Sequence, residues 1–523
     1  MTSAFFSDMR DRIFSRYFAA LFLLYLAGMF AILRANRLYL DDLGRALYGY
    51  ADWIESARPL SELMSFIFYL GPSTVDASPL SQILAAALLA LASLLLFDAV
   101  RARPTWSGLL CTAPVGLSPY QLENLSYRFD APWMALAVVL AVLPWSFYRA
   151  GKWRFFTIAA LCIFASLSLY QPAIGAYLAV AVYRLLADVV SRGSLALVGK
   201  RALRLGLPFV CGAGAYAVQA SLWFHKSQYG DYVAQHSALP GIADLPGKIA
   251  ENVAHYLSLL MRDWHGNGIG ALLGVVIVVF AVLLLLRLFR SRRAAGASGG
   301  ALPALAIRIA LLAALLFCLL LTPFGIQFVL DNPVWPPRTF QGFGVMASLM
   351  LLYLHASATR NALRRMFSAL QVFFVLQLLI FAQVYGNLLD AQGQWELSRI
   401  GLLAADLNRF IRKTGSSRVD FVGSIGLSPL VRTPAAKYPL LGRLVAVPLT
   451  RDWRWGYEQL ITYGVKVDRE DVPENIPPES LTPFLETPNY RIDVTPEGVG
   501  RITFLDPPVP RPQKKRPRAL KGQ

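Results

Sequence analysis

Asp41 and Asp42 stand side by side in Asp41-Asp42-Leu43-Gly44-Arg45, directly after the first long apolar run and shortly before Arg58. An ionised carboxylate at the edge of a non-polar layer is costly unless it meets water, a cation or a substrate. Placed there, a carboxylate can take the proton of an attacking hydroxyl, and arginines near it can hold a phosphate through their planar forks. The structural reading is a solvated loop or a helix N-cap, where Asp is common. Two close carboxylates repel, so one is expected to be the better base while Arg45 or Arg58 neutralises the other. The choice between Asp41 and Asp42 stays open, with Asp42 slightly behind because Asp-Leu-Gly-Arg reads as a helix start.

Three further polar segments carry groups that are not simple topology signals. They are Tyr120 to Asp130, with Asn124, Tyr127, Arg128 and Asp130; Tyr170-Gln171-Pro172; and Asp331 to Arg338. If the helices bundle, these loops and the first one converge on a cavity at the outer membrane face. Such a cavity suits a lipid-linked phosphosugar: an acceptor hydroxyl attacks the anomeric carbon, and the departing lipid phosphate needs cations more than a general acid. Arg58, Arg128 and Arg338 are the candidate phosphate ligands; the competing role for each is to anchor at the lipid headgroups. No run of buried mid-span carboxylates or histidines offers an ion relay, which weakens a transporter reading. Cys111, Cys162, Cys211 and Cys318 all lie in apolar stretches without metal or disulfide spacing. No His/carboxylate spacing demands a divalent metal, and no cofactor is expected.

The elements that must position these groups are set by composition. Of the 523 residues 56% are hydrophobic and only 16% charged, and the mean hydropathy is +0.47, which points to an all-α polytopic membrane protein. A helical crossing needs roughly 20 mainly apolar residues. Stretches of that kind fall near 17–36, 77–98, 105–119, 131–148, 155–170, 173–188, 205–223, 267–286, 303–322, 341–358 and 367–386, about eleven crossings. Residues 52–75 are too short to cross and read as an amphipathic interfacial segment; 224–266 reads as a polar loop.

The net charge of +18 does not signal nucleic acid, because Arg and Lys sit in short clusters between apolar runs, as in cytoplasmic loops. These include Arg10, Arg12 and Arg16 before the first run, then Arg101 and Arg103, then Arg149, Lys152 and Arg154. The expected topology has a cytoplasmic N-terminus and the acidic pair outside. Residues 1–387 form the membrane domain. Residues 388–506 read as a small outer-face α/β domain with strands at Val419–Gly423 and Tyr490–Val494, and 507–523 as a disordered basic tail. Trp453, Trp455 and Tyr457 in the outer domain suit either a sugar-stacking platform or, more commonly, a core.

Tyr39-Leu40-Asp41-Asp42-Leu43-Gly44-Arg45, Tyr48-Gly49-Tyr50, Trp53, Ala57-Arg58-Pro59-Leu60, Ser78-Pro79-Leu80 and Leu122-Glu123-Asn124-Leu125-Ser126-Tyr127-Arg128-Phe129-Asp130 form an ordered series. It resembles the type II glucosyl transferase family of serotype-converting O-antigen enzymes, over roughly the first 350 residues. The resemblance implies a GT-C-type membrane glycosyltransferase of the bacterial inner membrane, with its C-terminal domain in the periplasm. It implies a donor of glucose or another hexose on undecaprenyl phosphate, an O-antigen or lipopolysaccharide acceptor, a companion donor synthase and flippase, and an essential acid mapping onto Asp41 or Asp42. The remaining substrate-binding expectations fall on Arg45, Arg58, Asn124, Tyr127, Arg128, Asp130, Tyr170, Gln171 and Arg338. The readings weighed against this are an O-antigen polymerase or ligase, a flippase for lipid-linked oligosaccharide, and a glycan receptor.

Overall fold

The computed structural model describes residues 2–13, 15–191, 194–224, 235–293, 302–358, 360–451, 453–473 and 475–505. The basic tail expected from 507 lies outside them. The chain divides into two compact units, Met1–Asn387 with Lys437–Leu444, and Leu388–Ala436 with Val445–Gln523.

The first unit is helical. Among the described residues eight helices are long and apolar enough to cross a membrane: Arg16–Ala35, Leu80–Val100, Lys152–Leu169, Gln171–Val189, Leu195–Leu222, Gly268–Ser291, Pro303–Val329 and Asn361–Thr414. Three shorter apolar helices, Trp106–Leu117, Ala131–Phe147 and Phe343–Ser357, coincide with the remaining stretches expected from the sequence. Leu80–Val100 is the buried centre of the unit, with Ala85, Ala86, Leu89, Ala90 and Ala92 fully enclosed. Its alanines allow neighbouring backbones to approach closely, the usual packing currency in a layer where lipid is as apolar as leucine. The Ala131–Val142 and Arg16–Ala35 helices pack on it. Tyr25 ties Arg16–Ala35 to Leu80–Val100 and to Trp106–Thr112, its hydroxyl lying 2.6 Å from Ser93 Oγ and donating to the Thr112 carbonyl.

Two glycines draw two of the connecting segments together. A Cβ at Gly175 would fall 2.4 Å from the Thr322 carbonyl, and one at Gly342 would fall 2.8 Å from the Gly175 backbone. Only glycine permits this approach, and it brings the turn at Tyr170-Gln171 against the segment that carries Arg338.

Two expectations from the sequence need correction. The presumed polar loop 224–266 contains a 20-residue helix, Leu245–Trp264, whose buried residues Asn252, Tyr256, Leu259 and Asp263 form one helical stripe. Its scattered charges hide that period. The last expected span does not stop near 386, because Asn361–Thr414 is one helix of 54 residues. Between Gly386 and Thr414 the sequence contains no proline and many good helix formers, so nothing breaks it. The segment at 52–75 contains the helix Pro59–Tyr69, which buries Ser61 and Ser65 while Leu63, Phe66 and Ile67 are exposed.

The second unit holds a five-stranded sheet in the order β2-β1-β5-β4-β3. The strands are β1 (Arg418–Val422), β2 (Asp468–Arg469), β3 (Thr482–Glu486), β4 (Tyr490–Val494) and β5 (Gly500–Phe504). β1 runs parallel to β2 and β5, whereas β4 is antiparallel to both its neighbours. The Phe410, Val419, Phe421, Ile492 and Ile502 side chains fill its core. Tyr457 belongs to that core, stacked on Phe421 at 4.1 Å, so it is not part of a sugar platform; Trp453 is exposed.

Candidate functional site

The Arg16–Ala35 helix ends at Asn36, whose left-handed conformation turns the chain and lets its N–H meet the Leu33 carbonyl. Leu40 is also left-handed, and the short helix Asp42–Tyr48 follows, with Asp41 at its N-cap. The two aspartates therefore face different surroundings. Asp42 is fully buried, and its Oδ2 accepts from the backbone N–H of Tyr39 at 3.1 Å and of Arg128 at 2.9 Å. Its Oδ1 accepts from the Phe129 N–H at 3.4 Å. Burial pushes the Asp42 carboxyl up to about 7 against the pull of these donors. Asp42 thus staples the first loop to Arg128 and Phe129. Asp41 is partly exposed and, among the described residues, its carboxylate receives no hydrogen bond. Its charge is felt by Arg45, Arg338 and Tyr127.

Asp130 collects the cations of the first loop. Arg45 Nη1 lies 2.9 Å from its Oδ2, Trp53 Nε1 donates to its Oδ1 at 2.6 Å, and Arg58 approaches to 4.0 Å. Arg45 also lies over the Trp53 ring at 4.4 Å. Arg45 therefore pairs directly with Asp130 and acts on Asp41 and Asp42 through charge alone. Arg58 donates from Nε to Gln171 Oε1 at 3.1 Å and covers the Tyr170 ring at 4.8 Å. Gln171 also donates to the Ser56 carbonyl.

Arg338 is fixed by Glu123, which is almost fully buried. The Arg338 backbone N–H donates to Oε2 at 2.6 Å and its guanidinium to Oε1 at 3.0 Å. Its carbonyl accepts from Tyr170 Oη and, more weakly, from Asn124 Nδ2. Burial raises the Glu123 carboxyl, and Arg338 opposes that rise. Tyr127 lies under the Arg338 guanidinium at 5.4 Å. The Tyr127 hydroxyl and the Asn124 Oδ1 are buried and, among the described residues, lack a hydrogen-bond partner. Arg128 is committed elsewhere, to Asp76 and to Asn36 Oδ1. Of the four arginines, Arg58 is the least committed to a carboxylate.

The candidate catalytic and substrate-binding residues from Asp42 to Arg338 are thus linked by hydrogen bonds, ion pairs and ring contacts within the first unit, and Asp41 stands beside them without a hydrogen bond among the described residues. Glu123, Trp53 and Asp76 belong to this network as well and were missed as site residues. Glu123 left a signal, an acid beside Asn124 in a segment already singled out; Asp76 left none. Among the described residues no group of three or more His, Cys, Asp or Glu side chains is placed to hold a metal. What the site offers is a partly exposed carboxylate, Asp41, without a hydrogen bond among the described residues, whose charge reaches Arg45 and Arg338, together with the unpaired Tyr127 hydroxyl and Asn124 Oδ1.

Comparison with known proteins gives the context. Residues 30–349 match the family described as glucosyl transferase GtrII. A protein of Salmonella phage P22, described as an uncharacterized 55.3 kDa protein in the gtrB 5′ region, is 27% identical over 449 residues, covering 85% of this chain and 89% of its own. No solved structure matches.

Proposed function

Because this chain belongs to the glucosyl transferase GtrII family, we propose that it transfers glucose from a polyprenyl-phosphate donor to an O-antigen or lipopolysaccharide glycan on the periplasmic face of the inner membrane. The three short apolar helices then complete eleven crossings in a GT-C-like bundle, and a companion synthase and flippase supply the donor. In this reading Asp41 is the general base. It takes the proton of the acceptor hydroxyl while that oxygen forms a bond to the anomeric carbon. The bond from that carbon to the phosphate oxygen breaks, and the electron pair leaves with the polyprenyl phosphate. Arg58 and Arg338 hold the growing negative charge. One displacement with one base inverts the anomeric configuration. The Tyr127 hydroxyl and the Asn124 carbonyl oxygen, both without partners, supply hydrogen bonds to a sugar.

The observation that carries this assignment is the contrast within the pair: Asp42 is enclosed and bonded by three backbone N–H groups, whereas Asp41 is partly exposed and unbonded. A proton acceptor has to reach its substrate, and only Asp41 meets that condition. The test is a transfer assay with the full-length protein in lipid, radiolabelled polyprenyl-phosphate glucose and a lipopolysaccharide acceptor. Wild-type protein moves the label to the acceptor. Asp41→Asn is expected to lower kcat by roughly 10²–10⁴-fold, the usual worth of a general base, with little change in KM. Full turnover by Asp41→Asn removes the base assignment. Absence of label transfer by the wild type with this donor, alongside transfer from another sugar carrier, removes the donor assignment.

A further inference from the structure

A second polar cleft, of about 350 Å³, is lined by Arg101, Arg103, Arg149 and Arg184 around Tyr148 and Trp145. It lies far from the network described above. Gln82, near the start of Leu80–Val100, donates to the Leu125 carbonyl beside that network, whereas Asp98 and Arg101 stand at the helix's other end. At 1.5 Å per residue this 21-residue helix spans roughly 30 Å, so the two sites occupy opposite ends of one candidate span.

The cleft is strongly cationic and short of counter-charge. Among the described residues, none of Arg101, Arg103, Arg149 and Arg184 forms a salt bridge. Asp98 is the one acid in the lining, and both its oxygens are engaged, one by Arg12 at 2.9 Å and the other by Ser146. Three guanidiniums converge on the Tyr148 ring, those of Arg204 at 4.4 Å, Arg184 at 4.7 Å and Arg101 at 5.9 Å. Burial, and then the charges of Arg184 and Arg149, draw the Arg101 guanidinium downward, the direction expected where cations crowd together. The indole N–H of Trp145, which is 2% exposed, is buried in this lining without a partner.

A topology signal alone would leave these arginines splayed in water. Here they wall a concavity whose volume lies within the range of about 300–1,000 Å³ typical of ligand sites, beside an unsatisfied buried donor. Basic pockets between membrane helices suit phosphate headgroups, because guanidinium forks bind phosphate oxygens bidentately. We propose that this cleft binds a phosphate-bearing anion, either the headgroup of an anionic phospholipid in the adjoining leaflet or a soluble phosphate entering from the water. The ligand is bound by Arg101, Arg149 and Arg184, with Arg103 at the rim.

The test uses the purified full-length chain in detergent and reads its thermal unfolding midpoint, since a ligand that binds only the folded state raises that midpoint. The probes are phosphatidylglycerol, phosphatidylcholine of the same chain length, and inorganic phosphate. We expect a rise of several degrees with phosphatidylglycerol or with phosphate, and none with phosphatidylcholine. A response to phosphatidylglycerol alone identifies the lipid as the source, and a response to phosphate identifies the soluble anion. The Arg101→Gln/Arg149→Gln variant, altered at two exposed side chains without hydrogen bonds, is expected to lose the rise. Arg10→Gln/Arg154→Gln removes the same charge elsewhere and is expected to keep it. Arg103→Gln provides a milder variant, with a weakened response. No rise with either anionic probe, or an equal rise in the Arg101/Arg149 variant, overturns the proposal.

Discussion

Asp41 and Asp42 share a peptide bond and differ in everything that decides what a carboxylate can do. The sequence showed that an acidic pair sits at the end of a span, but not how the chain turns at Asn36 and Leu40, and that turn buries one carboxylate and leaves the other accessible. Position 42 reads as a helix start, as the sequence suggested, yet its side chain reaches across to the backbone of Arg128 and Phe129. Partners more than eighty residues away leave no trace in local sequence. The same holds for Arg45, which a local reading pairs with its acidic neighbours and the fold pairs with Asp130. A pH effect follows from Asp42. Its carboxyl is raised to about 7 in the folded protein, against about 3.9 for an unfolded Asp. Between those values the folded state binds the extra proton, so this group's contribution to stability is complete below about pH 4 and is lost as pH rises towards 7. Asp42→Asn cannot titrate. The thermal midpoint of the wild type minus that of Asp42→Asn should therefore shrink from pH 4 to pH 7 and level off above. A difference that stays constant across that interval would show that Asp42 is already ionised at its lower end.

Short elements, not spans, hold the site. The helix Pro119–Ser126 begins with Ser118 accepting from the Gln121 N–H and with proline at its first position, a start signal that can be read in the sequence. The three-residue turn Pro337–Thr339 has no comparable stability of its own. Glu123 holds it from the neighbouring helix through two hydrogen bonds to Arg338. The apolar stretches of the membrane unit were legible because their composition exceeds anything a soluble core needs. Leu245–Trp264 was not, because its buried stripe includes Asn252 and Asp263 and a pattern search for apolar residues passes over it. Glu123→Gln tests the clamp. The amide can still accept from the Arg338 backbone but no longer pairs with its guanidinium, and a hydrogen bond to a charged group is worth about 1.5–3 kcal/mol. If Arg338 holds the donor phosphate, KM for the donor should rise roughly tenfold or more, with a smaller effect on kcat. An unchanged KM in a folded Glu123→Gln protein would remove Arg338 from donor binding.

At the scale of the whole chain, the least legible feature is the return of Lys437–Leu444 to the membrane unit. Nothing in Tyr438-Pro439-Leu440 announces it, because what holds it is distant. Arg443 bridges to Asp263 and donates to the Trp335 carbonyl, and the Leu444 carbonyl accepts from the hydroxyls of Tyr39 and Tyr385. Asp263 is 1% exposed, and its other oxygen has no partner, so Arg443 is its main compensation. Deleting 388–523 would remove this residue together with the second unit. Such a deletion would therefore disturb the membrane unit as well. Point variants isolate the contribution of Arg443. Arg443→Ala leaves a buried carboxylate unpaired, a change that typically costs about 3–5 kcal/mol, and the thermal midpoint should fall accordingly. Adding Asp263→Asn removes the stranded charge and should recover a large part of the loss, an outcome that lost packing alone would not produce. If Arg443→Ala unfolds at the wild-type temperature, the segment merely rests on the membrane unit. If the double variant is no more stable than the single one, the contribution of Arg443 is steric rather than ionic.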